Sequence, residues 1–105
     1  MNGYVQIFTT TGSKKEASNI AKSLVSKRLA ACVQVVGPIT STYRWKGKVE
    51  TAKEWLCIIK SRKELFAKVE KDIMCIHSYE LPEITMTEIS GCNEYLSWIE
   101  KNTVK

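Results

Sequence analysis

Residues 75–84, CIHSYELPEI, hold the chain's only histidine, one of its four cysteines, a tyrosine, two glutamates and one of its two prolines. An imidazole titrates near neutral pH, so His77 can serve as acid, base or metal ligand. A single histidine cannot build a closed zinc site of two or more histidines within one chain. Cys32, Cys57, Cys75 and Cys92 are widely separated, and no C-x-x-C pair makes up the difference. Cys75 and His77 would form a nucleophile–base pair only if their side chains converged, and a helix residue and a loop residue two positions apart need not do so. Glu80 and Glu83 flank Pro82, and Glu83 stands where a strand begins, so its carboxylate can face a cleft. A purely structural reading stands beside these. Pro82 ends a helix and biases Leu81 to extended backbone, and a histidine at a helix C-terminus interacts favourably with the helix dipole.

Other chemistries find less material. Gly37-Pro38 and Gly47 stand alone, and Gly12-Ser13 precedes a helix without a phosphate-loop lysine. The formal net charge is +5, but the lysines are scattered among acidic residues, so no nucleic-acid partner is expected. With 105 residues, 44% hydrophobic and 26% charged, the chain reads as one domain spanning 1–105. The cysteines sit beside apolar neighbours, as in Ala31-Cys32-Val33 and Leu56-Cys57-Ile58, which suits free buried thiols. No apolar run approaches 18 residues and no signal-like start is visible, so the expectation is a cytoplasmic protein without membrane insertion.

The elements that must position these residues follow from periodicity. Residues 4–10 are rich in β-branched and aromatic side chains and read as a strand. Ser13 and Glu16 have capping-box spacing, and Ala17, Ile20, Ala21, Leu24 and Val25 recur on one helix face to about Lys27. Residues 29–36 are short and apolar, which suits a strand buried on both faces. After Gly37-Pro38, residues 39–45 and 49–60 form strand-like runs around a tight turn at Lys46-Gly47. Ser61 and Glu64 repeat the capping-box spacing before a second helix carrying Leu65, Val69, Ile73 and Ile76. Residues 84–90 suit a further strand, and Asn93 suits the N-cap of a short final helix.

The order β-α-β-β-α-β plus a short C-terminal helix is that of an α+β, ferredoxin-like sandwich with an antiparallel sheet and helices over one face. The other face is left open beneath a long hairpin carrying Tyr43, Trp45 and Trp55. Either those rings fill the chain's own core or they meet a second copy.

Several of these pieces together resemble the CutA family of divalent-cation tolerance proteins. They are Arg28-Leu29-Ala30-Ala31-Cys32, the Tyr43-Arg44-Trp45-Lys46-Gly47 hairpin, Lys60 at the end of the long strand, His77-x-Tyr79-x-x-Pro82-Glu83, and residues 91–99. The resemblance spans nearly the whole chain. It implies a homotrimer with clefts between subunits, no enzymatic reaction, and a role in tolerance of copper and other divalent cations. The copper donors proposed for bacterial members fall here on Thr9, Ile76 and His77, of which only His77 is a ligand type. The expected cleft residues are Tyr43, Trp45, Lys60, His77, Tyr79 and Glu83, with His77 the metal ligand for Cu²⁺ or another divalent cation. The alternative from a different class is a PII-like trimeric signalling module that binds a nucleotide or small anionic ligand.

Overall fold

A computed structural model describes residues 3–104. Four strands, three α-helices and one 3-10 turn follow in the order β1 (Tyr4–Thr11), α1 (Lys14–Ser26), β2 (Cys32–Trp45), β3 (Lys48–Arg62), the turn Lys63–Leu65, α2 (Phe66–Ile76), β4 (Thr85–Glu88) and α3 (Asn93–Lys101). The sheet order is β2-β3-β1-β4 and every neighbouring pair is antiparallel. This is the ferredoxin-like arrangement the element order predicts.

Strand alternation sorts the sheet into two faces. Val5, Ile7 and Thr9 of β1 lie opposite Ser61, Ile59 and Cys57 of β3 and are fully buried. Over them lie Ala17, Ile20 and Leu24 of α1 and Val69 and Ile73 of α2, completing a continuous core. Burying each large aliphatic side chain contributes about 1.5–3 kcal/mol before chain entropy is counted. Ser13 caps α1, its Oγ accepting from the Glu16 N–H at 3.1 Å. Asp72, on the flank of the α2 stripe, takes Lys27 Nζ at 2.5 Å and the Ser23 hydroxyl at 2.7 Å, so it ties α2 to α1.

Several sequence expectations change. Residues 29–36 and 39–45 are not two strands but parts of one, β2, with an irregularity between Val36 and Ile39. Nor is β2 buried on both faces: it is an edge strand with only β3 beside it, and Val35 and Val36 are 38% and 44% exposed. The second capping box does not form. β3 continues through Ser61, whose hydroxyl donates to the Leu29 carbonyl at 2.6 Å, and α2 starts only at Phe66. Glu64 pairs with Arg62 instead. Asn93 is the first helical residue of α3 rather than its cap. Of the four free cysteines only Cys57 is buried, while Cys75 and Cys92 are exposed. Helix α3 also departs from the single helical face. Tyr4 and Arg62, which alternate with the core-facing Val5 and Ser61, donate to Glu100 and Thr103, so α3 covers one end of the opposite face.

Beyond Trp55, where the pairing with β1 ends, the β2–β3 hairpin continues as a two-stranded arm, and the longest extent of the molecule is 44 Å. Lys46 and Gly47, at φ 51° and 80°, form its two-residue turn, with the left-handed backbone that such turns require. At its base, a Cβ on Gly37 would lie 2.6 Å from Trp55 Cδ1, so the indole packs directly on the β2 backbone.

Candidate functional site

A cavity of about 750 Å³ lies where the hairpin leaves the body. Its floor and one wall come from the sheet face opposite α1 and α2. Thr10 and Leu56 are paired across β1 and β3, Ile39 and Glu54 are paired across β2 and β3, and Ser41, Tyr43 and Trp45 continue at alternate positions along β2. The second wall is the segment 78–83, which leads from α2 toward β4.

That segment is fastened at three successive residues. His77 closes α2, its N–H bonding the Ile73 carbonyl. Its Nε2 lies 2.7 Å from the Thr10 carbonyl oxygen, and its Nδ1 accepts the Tyr79 N–H at 3.2 Å. One neutral tautomer, with the proton on Nε2, satisfies both contacts. Glu16 accepts the Ser78 N–H at 2.7 Å and the Ser78 hydroxyl at 3.2 Å, so the carboxylate beside the α1 cap binds the loop. Tyr79 then reaches across the cleft, and its hydroxyl donates to Glu54 Oε2 at 2.7 Å. Burial, followed by that bond to Glu54, pushes the Tyr79 phenol well above its ordinary range and keeps it a donor.

Of the residues singled out from sequence, Tyr43, Trp45, Tyr79 and Glu83 line the cleft. Lys60 does not: its ammonium bonds Gln34 Oε1 at 3.1 Å and sits 5.8 Å from the Tyr95 ring centroid, farther along the sheet. His77 stands behind the wall with both ring nitrogens engaged, and its ring meets that of Tyr79 at 4.7 Å between centroids. Glu54 and Glu16 were not singled out. Glu54 had a legible signal, since it is the one charge at the head of the apolar run 54–59 and shares a face with Leu56. Glu16 had none, because the capping-box spacing explained it fully.

The donor set of one chain does not fit a metal centre. Among the described residues no three His, Cys, Asp or Glu side chains come together as a metal requires, and Thr9 lies under the helices, away from the cleft. A metal on His77 would first have to displace either the Thr10 carbonyl or the Tyr79 N–H.

Residues 5–102 match the family of the CutA1 divalent ion tolerance protein. The divalent-cation tolerance protein CutA of Thermus thermophilus is 41% identical over 98 residues, covering 92% of this chain and 95% of its own. A structure of the Thermus thermophilus protein superposes with a TM-score of 0.94 at 39% identity, covering 96% of this chain and 99% of that one. The CutA of Archaeoglobus fulgidus is 44% identical over 96 residues, covering 90% and 93%. Its structure, described as that of a periplasmic divalent cation tolerance protein, has a TM-score of 0.91 at 42% identity over 94% and 97%.

Proposed function

The chain belongs to the CutA1 divalent ion tolerance family, and from that premise we propose that it serves divalent-cation tolerance without catalysing a reaction, as a homotrimer with cation-binding clefts between subunits. The observation that carries this reading is the half-finished sheet. One face is sealed by α1 and α2, while the other keeps the hairpin arm, Tyr43 and the edge strand β2 partly open to solvent. A surface of that kind on a small protein calls for a partner, and a second copy supplies one of matching composition.

The cleft lies on that same open face, so neighbouring copies can add donors to the carboxylates of Glu54, Glu80 and Glu83. Copper or another divalent cation then takes ligands from more than one subunit, with His77 contributing only if its present hydrogen bonds are exchanged. The PII-like alternative has no support: the hairpin closes in two residues at Lys46-Gly47, and no long loop extends from it. Four free thiols among the described residues fit a reducing cytoplasm, whereas the Archaeoglobus relative is described as periplasmic, and cell fractionation separates the two. No helix among the described residues is long and apolar enough to cross a membrane.

Two measurements test the proposal. Light scattering should return the mass of three chains, and a single-chain mass of 11.9 kDa defeats it. Calorimetric titration of Cu²⁺ and Zn²⁺ should show binding that weakens in Glu83→Gln and in His77→Ala. Undiminished binding by His77→Ala removes the histidine from the ligand set and leaves the carboxylates.

A further inference from the structure

The cleft has the opposite sign to the molecule that carries it. Lysine and arginine outnumber aspartate and glutamate by 16 to 11 in the chain, yet the charged residues lining the cavity are Glu54, Glu80 and Glu83, with no lysine or arginine among them. Glu54 is only 7% exposed. Its Oε2 takes the Tyr79 hydroxyl, its Oε1 takes no hydrogen bond from any described residue, and none of the three ion pairs among those residues includes it. Glu54 Oε1 is not among the buried unpartnered atoms, so it is open to the cavity, and a cation placed there would meet a carboxylate with no counter-charge.

The rest of the cavity selects which kind of cation. A bare metal ion needs several donors converging at about 2.0–2.6 Å, and the carboxylates of one chain do not converge. The walls between them are instead apolar and aromatic: Leu56 and Leu81, with the rings of Tyr43, Trp45 and Tyr79. Aromatic faces attract organic cations, and the protein's own Lys46 ammonium already stands 5.6 Å from the Trp45 ring centroid. At about 750 Å³ the cavity is also the size of a small-molecule site rather than an ion site.

We propose that the cleft binds an alkylammonium ion. The ammonium N–H groups bond the free oxygen of Glu54, and the alkyl chain lies along Leu56, Leu81 and the rings. Glu83 favours a second positive charge at the other end, so a diamine binds more tightly than a monoamine. The assignment goes beyond the metal reading and places an organic cation on the same carboxylates, so amine and divalent ion would compete for one cleft.

The test is calorimetric titration of the full chain with n-butylammonium and 1,4-diaminobutane, with n-butanol and butyrate as neutral and anionic counterparts and Mg²⁺ as a metal control. The amines should bind and the counterparts should not. Glu54→Gln, which keeps an oxygen for Tyr79, should weaken both amines at least tenfold, and Glu83→Gln should weaken the diamine alone. Equal binding of butanol, undiminished binding by Glu54→Gln, or no amine binding at tens of millimolar would each overturn the proposal, and binding of Mg²⁺ without the amines would leave the metal reading alone standing. So would a crystal structure of the assembly with a lysine or arginine of a second copy seated on Glu54. If Glu54→Gln does not fold, ring-proton shifts in the wild type decide: movement of Tyr43 and Tyr79 supports the site, and movement elsewhere refutes it.

Discussion

The two faces of the sheet are built from the same strands and have different fates. On the helix side, Val5, Ile7, Cys57 and Ile59 are fully covered by α1 and α2. On the other side, Phe8 and Ile58 are only half-buried and Val36 is exposed, with α3 covering the end marked by Tyr4, Lys60 and Arg62. A strand's period of two delivers apolar residues to both faces, but only one face finds its cover within the chain. The first face therefore fixes whether the protomer folds, and the second fixes what the folded protomer meets.

The largest expected effect falls on the helix face. Leu24 is fully buried, and Leu24→Ala should lower unfolding stability by about 2–5 kcal/mol through lost burial and the cavity left behind. Urea denaturation at fixed protein concentration reads it, the fixed concentration being needed because an assembly stabilises its folded subunits by mass action. Val36→Ala, of similar chemistry on the exposed edge, should cost no more than about 1 kcal/mol by the same measurement. Equal losses at the two positions would mean that the faces do not differ.

Cys57 offers a pH-dependent view of the same face. It is fully buried, and burial pushes its thiol up from 9.0 to about 11. The folded state thus disfavours the thiolate that the unfolded chain forms readily. Stability from this group is intact below pH 9, declines between pH 9 and about 11, and at the far end about 2–3 kcal/mol is lost. Urea midpoints for wild type and Cys57→Val should diverge across that window and run parallel below it. Exposed Cys75 and Cys92 should meanwhile react with a thiol reagent at pH 8 in the native state, and Cys57 only after unfolding.

The parts of this architecture legible in sequence were those governed by local rules. The Ser13 cap worked because its hydroxyl had no competing partner, and the Lys46-Gly47 turn worked because two positive φ angles join adjacent strands. Ser61 has the same spacing to a glutamate, yet its hydroxyl went to Leu29, a residue 32 positions away, which no local pattern contains. Residues 29–36 look doubly buried because composition records apolarity, not the strand's place at the sheet edge. Tyr43, Trp45, Tyr79 and Glu83, named through the family resemblance, line the cavity. Its buried carboxylate, Glu54, carried only the signal of a charge at the head of an apolar run; its partner was not legible, because the bond from Tyr79 bridges 25 positions and depends on the loop crossing to the hairpin. Resemblance to a family supplied the positions of the motif and still could not show that His77 spends both nitrogens on holding that loop.

The smallest effect on folding should carry the largest effect on assembly. Ile58 lies on the open face, with Gln34 on one side and Phe8 on the other, and is only half-buried within one chain. Ile58→Lys adds a charge that the isolated protomer can direct to solvent along its flexible stem, so stability of the single chain should shift by about 1 kcal/mol or less. In an assembly that closes over this face the same ammonium is buried without a partner, a penalty that the interface cannot absorb. Light scattering should then give 11.9 kDa for Ile58→Lys while the circular dichroism spectrum stays that of the wild type. If the variant keeps the wild-type mass, the open face is not where copies meet, and the contrast between the two faces would need another explanation.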